Sequence, residues 1–349
     1  MRLRVLDFGA VSPLRSQAIY HGLAHALTAN DAPILALCTP TAPYLCVGAH
    51  QDIGAELDID YCTKHGLPVL RRDVGGGAVY LDAQQLFYQF VFPRALAPQS
   101  PQDIFPFFIA PIVRCYRALG IDAALRAPND IAVGARRLGG TGAGTIGEAT
   151  VFVGSLLFDF DREAMANALR APSAGFRRAY RDALRRYLVT VKELDPRLTP
   201  ADARTALLQS LARQDGWTPA LDKPSAAEIA SIESWAAEGD TSDWLRVPRR
   251  RVANGVKIAA RTYLTETTCR LSGAPATLRM LTHAGAVMDI EIESTAVRLN
   301  ALARAAQQLR GTVLQEAALL AALAYSGLIK EEATAIARAL VECAPSAEV

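Results

Sequence analysis

The sequence lacks several features that define large classes of proteins. No apolar run approaches the roughly 20 residues that a membrane-spanning helix needs, and the N-terminal residues contain no hydrophobic segment of signal length. The net charge is only +2, which gives no basis for general binding to nucleic acid. These absences predict a cytoplasmic protein that binds neither nucleic acid nor membranes.

The sequence also lacks a cysteine or histidine framework. Its six cysteines include no CxxC pair, so neither a disulfide framework nor a structural zinc site is expected. Most of them lie in apolar contexts and are expected to be small core residues. His21 and His25 have the i, i+4 spacing of a helical metal pair, but no third ligand follows them. We therefore expect no metal site built on histidine or cysteine.

Length and composition indicate an ordinary globular protein with two parts. Of 349 residues, 51% are apolar and 21% are charged, which suits two domains or one large domain with an appendage. A shift in composition at SDWLRVPRRRVANG, residues 242–255, marks the expected boundary. The basic run within it is interpreted as solvated surface.

Residues 70–92, LRRDVGGGAVYLDAQQLFYQFVF, form the most distinctive stretch. Three consecutive glycines allow the backbone to come close to a bound group and to offer it N–H donors. The preceding Arg71 and Arg72 carry the planar, bidentate donors that suit carboxylates and phosphates. The alternation from Ala78 to Phe92 predicts a strand. A polyanion site and a glycine-rich hairpin with solvent-facing arginines both fit these residues, and neither GxxxxGK[ST] nor GxGxxG matches them.

A second stretch supports the polyanion site. Residues 127–161, APNDIAVGARRLGGTGAGTIGEATVFVGSLLFDFD, place Asn129 and Asp130 before a short apolar strand. Arg136 and Arg137 follow, and then four closely spaced glycines lead into another strand.

Together these stretches resemble the lipoate–protein ligase family. RRDVGGGAVYLD resembles its RRxxGGGxVxHD signature, NDIAVGARRLGGTG its ND(h)xVxGxKhxG segment, and PYLCVGAHQ (43–51) its P-x-h-x-h-G-x-x-Q segment. The resemblance covers about residues 30–160. It implies an α+β, biotin/lipoate ligase-like catalytic domain with central mixed β-sheets flanked by helices over 1–250. A small C-terminal α/β accessory domain is expected over 256–349.

The sequence departs from the family pattern at two positions that carry chemistry. Arg137 stands where the family usually has its central catalytic lysine, and Leu81 stands where it usually has histidine. The chain has only 5 Lys among its 37 Lys and Arg, so arginine is its usual basic residue and its presence at position 137 fits the composition. Arginine keeps the positive charge but not the compact ammonium.

The resemblance implies the following site. Arg137 is the catalytic residue, acting at the reacting phosphate and acyl carbonyl, while Asn129 and Asp130 contact adenine or ribose and Asp130 holds Mg²⁺. Val79, Val153 and Leu156 are expected to line the pocket for the acyl tail. The full set of expected substrate- and ATP-binding residues is Arg71, Arg72, Gly75, Gly76, Gly77, Ala78, Val79, Tyr80, Asn129, Asp130, Gly139, Gly140, Thr141 and Gly142.

The implied activity is ATP-dependent attachment of lipoate or octanoate to a lysine of a carrier protein, through a lipoyl-AMP intermediate. The expected carrier is a lipoyl domain or a protein like the H protein of glycine cleavage. Three alternatives remain: a non-catalytic binder that lost activity with the lysine, an ATP-independent octanoyltransferase that uses a cysteine thioester, and a biotin ligase. No cysteine lies between Cys115 and Cys269, and the GRGRxGR-like loop of biotin ligases is absent.

Periodicity predicts the elements around these motifs. Helices are expected from Ser12-Pro13 and over 55–65, 107–119 and 162–170, and two helical patterns over 196–240. Strands are expected over 259–272, 275–282 and 285–293, followed by helices over 297–309 and 312–325 and a third that runs to the end.

Overall fold

The computed structural model describes residues 1–126, 128–213, 216–239, 255–259, 261–295 and 299–345. The chain divides into two compact units, Met1–Arg170 with Arg185–Arg250 and Ala171–Leu184 with Arg251–Val349. This division differs from the predicted domains in the segment Ala171–Leu184. The predicted boundary at 242–255 lies outside the described residues, apart from Gly255. Across the described ranges, no helix has the length and apolar character that a membrane crossing requires.

The elements from the N-terminus to residue 239 belong to the first unit, except for α6, of which all but the last three residues belong to the second. They are β1 (Arg2–Val11), α1 (Pro13–Ala26), β2 (Ile34–Pro40), β3 (Tyr44–Val47), α2 (Ile53–Glu56), α3 (Ile59–Lys64), β4 (Val69–Arg71), β5 (Val79–Leu81), β6 (Gln85–Pro93), a 3₁₀ turn (Arg94–Leu96), α4 (Pro101–Ala118), β7 (Ala124–Arg126), β8 (Asp130–Val133), β9 (Arg136–Ile146), β10 (Ala149–Leu157), α5 (Arg162–Ala168), α6 (Ala174–Tyr187), α7 (Val191–Leu194), α8 (Pro200–Ala212), β11 (Thr218–Leu221) and α9 (Ala226–Gly239).

The first unit is organised by an eight-stranded mixed sheet with the order β11-β1-β2-β6-β10-β9-β8-β7. β1 runs parallel to β2 and β11, and the other neighbours are antiparallel. The central strand β6 is buried along its whole length. Because side chains alternate between faces, Tyr88 and Phe90 enter the core that contains residues of α4 and α8. Phe87 and Val91 enter the core on the opposite face, which contains residues of α1 and α9.

The strands β3, β4 and β5, which follow β2 and precede β6 along the chain, form a separate three-stranded sheet with the order β4-β3-β5. This small sheet carries the first motif. The strand predicted over Ala78–Phe92 is wrong in one respect, because β5 and β6 belong to different sheets. The Asp82 carboxylate accepts the Gln84 N–H at 2.9 Å between them, a local turn bond typical of aspartate. The chain passes from the small sheet to the large one at this turn.

Other predicted boundaries shift for reasons of local capping. The predicted helix 55–65 is two short helices, because Asp52 and Asp58 each cap a separate N-terminus. α4 begins at residue 101 rather than 107, where the Ser100 hydroxyl accepts the Gln102 N–H. The pattern over 196–240 also contained β11, an edge strand that pairs with β1. α1 begins after Ser12 as predicted.

The second unit contains the antiparallel sheet β12 (Gly255–Ala259), β13 (Thr262–Leu271), β14 (Ala274–His283) and β15 (Ala286–Ser294), and the helices α10 (Leu299–Leu309), α11 (Glu316–Leu323) and α12 (Lys330–Glu342). The predicted strand 259–272 corresponds to β13 and to the last residue of β12, which pairs with β13 as an antiparallel hairpin. Residues of the three helices and the sheet share one core. The Ser173 hydroxyl donates to Glu266, which also pairs with the buried Arg279, so the start of α6 belongs to this unit. The α+β fold class is confirmed.

Candidate functional site

The first motif packs on one face of the large sheet. On that face Val153 of β10 pairs with Gly142 of β9. A Cβ on Gly142 would lie 3.3 Å from a Val74 methyl group and 3.5 Å from the Gly75 carbonyl oxygen. A Cβ on Gly144 would lie 3.3 Å from the other Val74 methyl group. The segment Asp73–Gly77, here called the glycine loop, therefore rests directly on β9.

The second glycine-rich segment is a strand and not a turn. Gly142 of β9 meets the glycine loop, and Gly140, two positions earlier in the same strand, faces the same side. Gly139 was also expected at the site. It pairs with Ile131, a core residue of the opposite face. Gly139 therefore faces away from the glycine loop and is not part of the contact between the loop and β9.

Arg72 shapes the glycine loop from within. Its guanidinium, in a side chain that is 9% exposed, donates to the carbonyls of Gly75 and Gly77 at 3.0 and 2.8 Å and to that of Cys46 at 3.0 Å. Gly76 has a φ of 101°, which side chains rarely adopt. A Cβ there would lie 2.8 Å from Arg72 Nη2. The loop conformation therefore depends on glycine at 76 and on the Arg72 guanidinium.

Arg71 holds a second loop, residues 48–51, against the first. Its Nη1 donates to the carbonyls of Gly48, Ala49 and Gln51 at 3.2, 3.4 and 2.8 Å. The Ala49 N–H in turn donates to the Val74 carbonyl at 3.1 Å. Arg71 is almost fully buried, at 1% exposure. Its hydrogen bonds and the Ala49–Val74 hydrogen bond hold the two loops together as one unit.

These contacts change the interpretation of the arginine pair. Both guanidiniums were expected to hold a carboxylate or phosphate, whereas their described hydrogen bonds go to backbone carbonyls. A surface role is excluded by their burial. Direct contact of either guanidinium with a ligand stays a prediction.

Arg137 lies beside this unit and pairs with Asp130. Its Nε is 3.1 Å from the Asp130 carboxylate, with side chains that are 26% and 3% exposed. A Cβ on Gly140 would overlap the guanidinium, with Cζ only 2.7 Å away. The Arg137 carbonyl accepts the Val189 N–H at 2.9 Å. Backbone and side chain are thus both fixed, on the sheet face where Gly142 meets the glycine loop.

Asp130 does not fit the magnesium role that was expected of it. Its buried carboxylate faces a guanidinium, and that charge opposes a divalent cation at the same oxygens. No group of three or more His, Cys, Asp or Glu suited to a metal occurs in the part of the chain that the structure describes. Any Mg²⁺ would depend on the phosphate oxygens of a nucleotide and on water.

Asn129 presents a polar atom that suits a ligand. The Thr141 hydroxyl donates to the Asn129 carbonyl at 2.8 Å, and Asn129 Nδ2 lies 3.4 Å from the Thr141 carbonyl oxygen. Asn129 Oδ1 is buried and has no hydrogen-bond partner among the described residues. Because a buried acceptor without a donor is costly, this atom is a candidate acceptor for an amino or hydroxyl group.

The remaining expected residues surround the start of β5. Gly77 and Ala78 are half-buried, and Val79 packs against the small-sheet core. Tyr80 is buried edge-on to Phe160, and burial raises the pKa of its hydroxyl to about 12.

The three residues expected around the acyl tail are not all on one face. Val153 is on the site face with Gly142. Leu156 lies in the core on the opposite face of the sheet, because side chains separated by three positions along a strand point opposite ways. Leu156 is therefore removed from the expected tail pocket.

None of the six cysteines is suited to form a thioester. Five are buried and Cys269 is half-buried. Burial raises the pKa of every one of these thiols, that of Cys115 to about 12. A raised pKa keeps the thiol protonated and a poor nucleophile.

A sequence model of the lipoyl protein ligase A/B catalytic domain matches residues 12–212, which include both glycine-rich stretches and the Arg137–Asp130 pair. The chain belongs to this family. Within the family, lipoate–protein ligase 1 of Staphylococcus aureus is 28% identical over 151 residues, 43% of this chain and 45% of that protein. The chain spans about half the length of the curated relatives it matches.

Two solved structures show the same fold. A bipartite lipoate protein ligase from Thermoplasma acidophilum, described with its E2 lipoyl domain, has a TM-score of 0.65 and 22% identity, covering 72% of this chain and 98% of that one. A lipoate–protein ligase A bound with ATP has a TM-score of 0.62 and 21% identity, covering 70% and 99%. The predicted ligase-like fold is confirmed.

Sequence reasoning missed two parts of the site. The loop 48–51 was noted within a family segment, but its contact with the glycine loop was not foreseen. His21 was weighed only as a metal ligand, whereas its ring nitrogen accepts the Asp73 N–H. The i, i+4 histidine spacing carries no signal for that contact.

Proposed function

We propose that this protein is an ATP-dependent lipoate–protein ligase that passes through a lipoyl-AMP intermediate. One observation carries the proposal: the glycine loop packs on β9 at Gly142, on the same sheet face as Arg137. Backbone donors and a guanidinium thus meet where a phosphate and a carboxylate must be brought together.

The chemistry requires both groups. A free carboxylate is a poor electrophile toward an amine, so its oxygen first attacks the α-phosphate of ATP. The bond from that phosphorus to the bridging oxygen breaks, and pyrophosphate leaves. The acceptor lysine, as a free amine, then attacks the acyl carbonyl, and AMP departs while the amine loses a proton. Negative charge on the phosphate oxygens must be stabilised in the first step.

Each element has a role in this scheme. The glycine loop offers N–H donors to the carboxylate and phosphate, and its shape is held by Arg72. Arg137 stabilises the charge on the α-phosphate and the acyl carbonyl from its fixed place beside Gly140. Asn129 Oδ1 accepts from the adenine amino group or a ribose hydroxyl. Val153 contacts the acyl tail, which is lipoate or octanoate.

The partner follows from the same scheme. The acceptor is a lipoyl domain, or a carrier like the H protein of glycine cleavage, that presents a lysine to the acyl-adenylate. We expect this reaction in the cytoplasm, without nucleic acid or membrane partners.

A non-catalytic binder of lipoate is the second candidate, and one observation favours it. The Arg137 guanidinium is paired with the buried Asp130 carboxylate, which offsets part of the charge that the reaction needs. An ATP-independent octanoyltransferase is disfavoured, because burial raises the pKa of every cysteine thiol.

Incubation with a lipoyl domain separates these candidates. The carrier is read by intact mass after mixing with the protein and lipoate, with and without ATP, and with octanoyl-loaded carrier as donor. The ligase predicts lipoyl addition only with ATP. Transfer from octanoyl carrier without ATP would indicate the transferase, and lipoate binding in calorimetry without any addition would indicate the binder.

A further inference from the structure

His21 reaches the first residue of the glycine loop from α1. Its Nε2 lies 3.1 Å from the Asp73 backbone nitrogen, and its Nδ1 lies 2.8 Å from the Gln17 carbonyl oxygen. A carbonyl can only accept and a backbone N–H can only donate. Nδ1 therefore carries the hydrogen and Nε2 the lone pair, so the two contacts together select one neutral tautomer.

The imidazole is held rigidly in that place. It is completely buried and stacks on Trp235 of α9 with ring centres 4.0 Å apart and planes 12° apart. The Tyr20 ring is also in contact with it, with ring centres 3.9 Å apart. Burial lowers the pKa of His21 to about 3, in agreement with the neutral tautomer. The Asp73 carboxylate, 3.5 Å from Nε2, therefore faces the lone pair of a neutral ring, and this contact is not an ion pair with His21.

The residue that His21 anchors is adjacent to the contact that sets the loop on the sheet. Val74 follows Asp73 directly, and its methyl groups meet Gly142 and Gly144 of β9. Its carbonyl also accepts the Ala49 N–H. A displacement at Asp73 would therefore change how the loop rests on β9.

We propose that His21 is a positioning residue, which as a neutral acceptor holds the Asp73 N–H and thereby fixes the glycine loop above β9. Its catalytic consequence rests on the proposed adenylation, whereas the position of the loop is measurable without any activity. Both parts are therefore testable separately.

Two substitutions distinguish this role from simple packing. His21→Gln removes the ring but keeps an oxygen acceptor at about the distance of Nε2, whereas His21→Phe keeps the stacked ring and removes the acceptor. We expect His21→Phe to lose about tenfold in kcat/KM for lipoate, the worth of one hydrogen bond, and His21→Gln to keep most of it. Thermal stability should follow the opposite order, because only phenylalanine preserves the stack on Trp235.

Hydrogen exchange of the glycine-loop amides, measured without substrates, gives the independent readout. Exchange should accelerate in His21→Phe and stay near the wild-type rate in His21→Gln. His25→Phe, an exposed position on the same helix, is the matched control and should change neither exchange nor kinetics.

Failure of the His21 proposal and failure of the proposed function give different results. If the loop exchanges faster in His21→Gln than in His21→Phe, or equally in both, packing decides and the proposal is overturned. If the wild type forms no adenylate but exchange follows the acceptor, His21 positions the loop and only the proposed function fails.

Discussion

Replacing Gly140 by alanine perturbs the site at the point where its geometry is tightest. Gly140 is an ordinary strand residue of β9 opposite Asp130, so alanine is compatible with its backbone. The added methyl group would overlap the Arg137 guanidinium, whose Cζ would lie 2.7 Å away. Nη2 of the same group would lie closer still. Ordinary contact distances are about 3.5–4.0 Å, so the guanidinium must retreat by at least about 1 Å.

The consequence can be worked from that displacement. A misplacement of about 1 Å at a catalytic group costs on the order of 100-fold in rate. The pair with Asp130, whose side chain is 3% exposed, would also lengthen. A buried carboxylate left less well paired costs about 1–3 kcal/mol of stability. We therefore expect Gly140→Ala to fold, with a lower unfolding midpoint and about a hundredth of the wild-type adenylation rate.

The assay is pyrophosphate release with lipoate and ATP, beside a denaturant unfolding curve. Gly139→Ala is the matched control, because its methyl group would lie 3.4 Å from the Ser155 carbonyl oxygen, near an ordinary contact, on the opposite face. That variant should stay within about threefold of wild type, the effect of a small strain.

Equal rates for the two alanine variants would refute the reasoning, because the Arg137 position would then not matter. A second arm uses Arg137→Lys, which lacks the planar group that the methyl would strike. Gly140→Ala should cost less in that background than in the wild type, and additive losses would contradict the proposed collision.

Two further predictions concern the loop and pH. Gly76→Val places a branched side chain at a φ of 101°, with its Cβ 2.8 Å from Arg72 Nη2; we expect lipoate binding in calorimetry to be lost while the circular dichroism spectrum persists, and unchanged affinity would remove the loop from the site. Burial lowers the pKa of His21 from 6.5 to about 3, so the imidazole binds a proton more readily in the unfolded chain than in the folded one. The free energy of unfolding is therefore highest above pH 6.5 and falls as the pH drops toward 3. At pH 5 the loss is about 2 kcal/mol. His21→Phe should therefore lose less stability than wild type between pH 7 and 5 in urea unfolding. Among the described residues, the titratable groups that face the ring are Asp73 on the loop and Tyr20 and His25 on α1, and α9 packs Trp235 on it. Parallel pH curves would contradict this assignment.

The part of the fold set by local patterns was predictable from sequence. The start of α1 follows from Ser12 and Pro13, and the strands of the second unit follow from their alternation. The placement of β5 and β6 in two different sheets was not predictable, because alternation continues across Asp82 and only tertiary pairing distinguishes the sheets. β11 was missed because a short edge strand is specified mainly by its partner β1.

In the candidate site, too, local motifs were predictable from sequence and tertiary contacts were not. The motifs correctly indicated that the two glycine-rich stretches meet, since Gly142 contacts the glycine loop and Gly140 lies against Arg137. Their role in binding a ligand stays a prediction. The partners of the charged groups did not follow from the motifs. A guanidinium can donate to a phosphate or to a backbone carbonyl, so the sequence alone does not show that Arg71 and Arg72 bind carbonyls. The Arg137–Asp130 pair depends on a strand register that spacing does not specify.

Formation of lipoyl-AMP by the protein alone tests the central claim most directly. The protein is mixed with lipoate and ATP without any carrier, and the acyl-adenylate is detected by mass spectrometry. We expect lipoyl-AMP from the wild type and from Arg137→Lys, and less than about a hundredth of it from Arg137→Ala, as loss of a key charge donor commonly gives. An undiminished yield from Arg137→Ala, or no lipoyl-AMP from a wild type that binds lipoate, would contradict it.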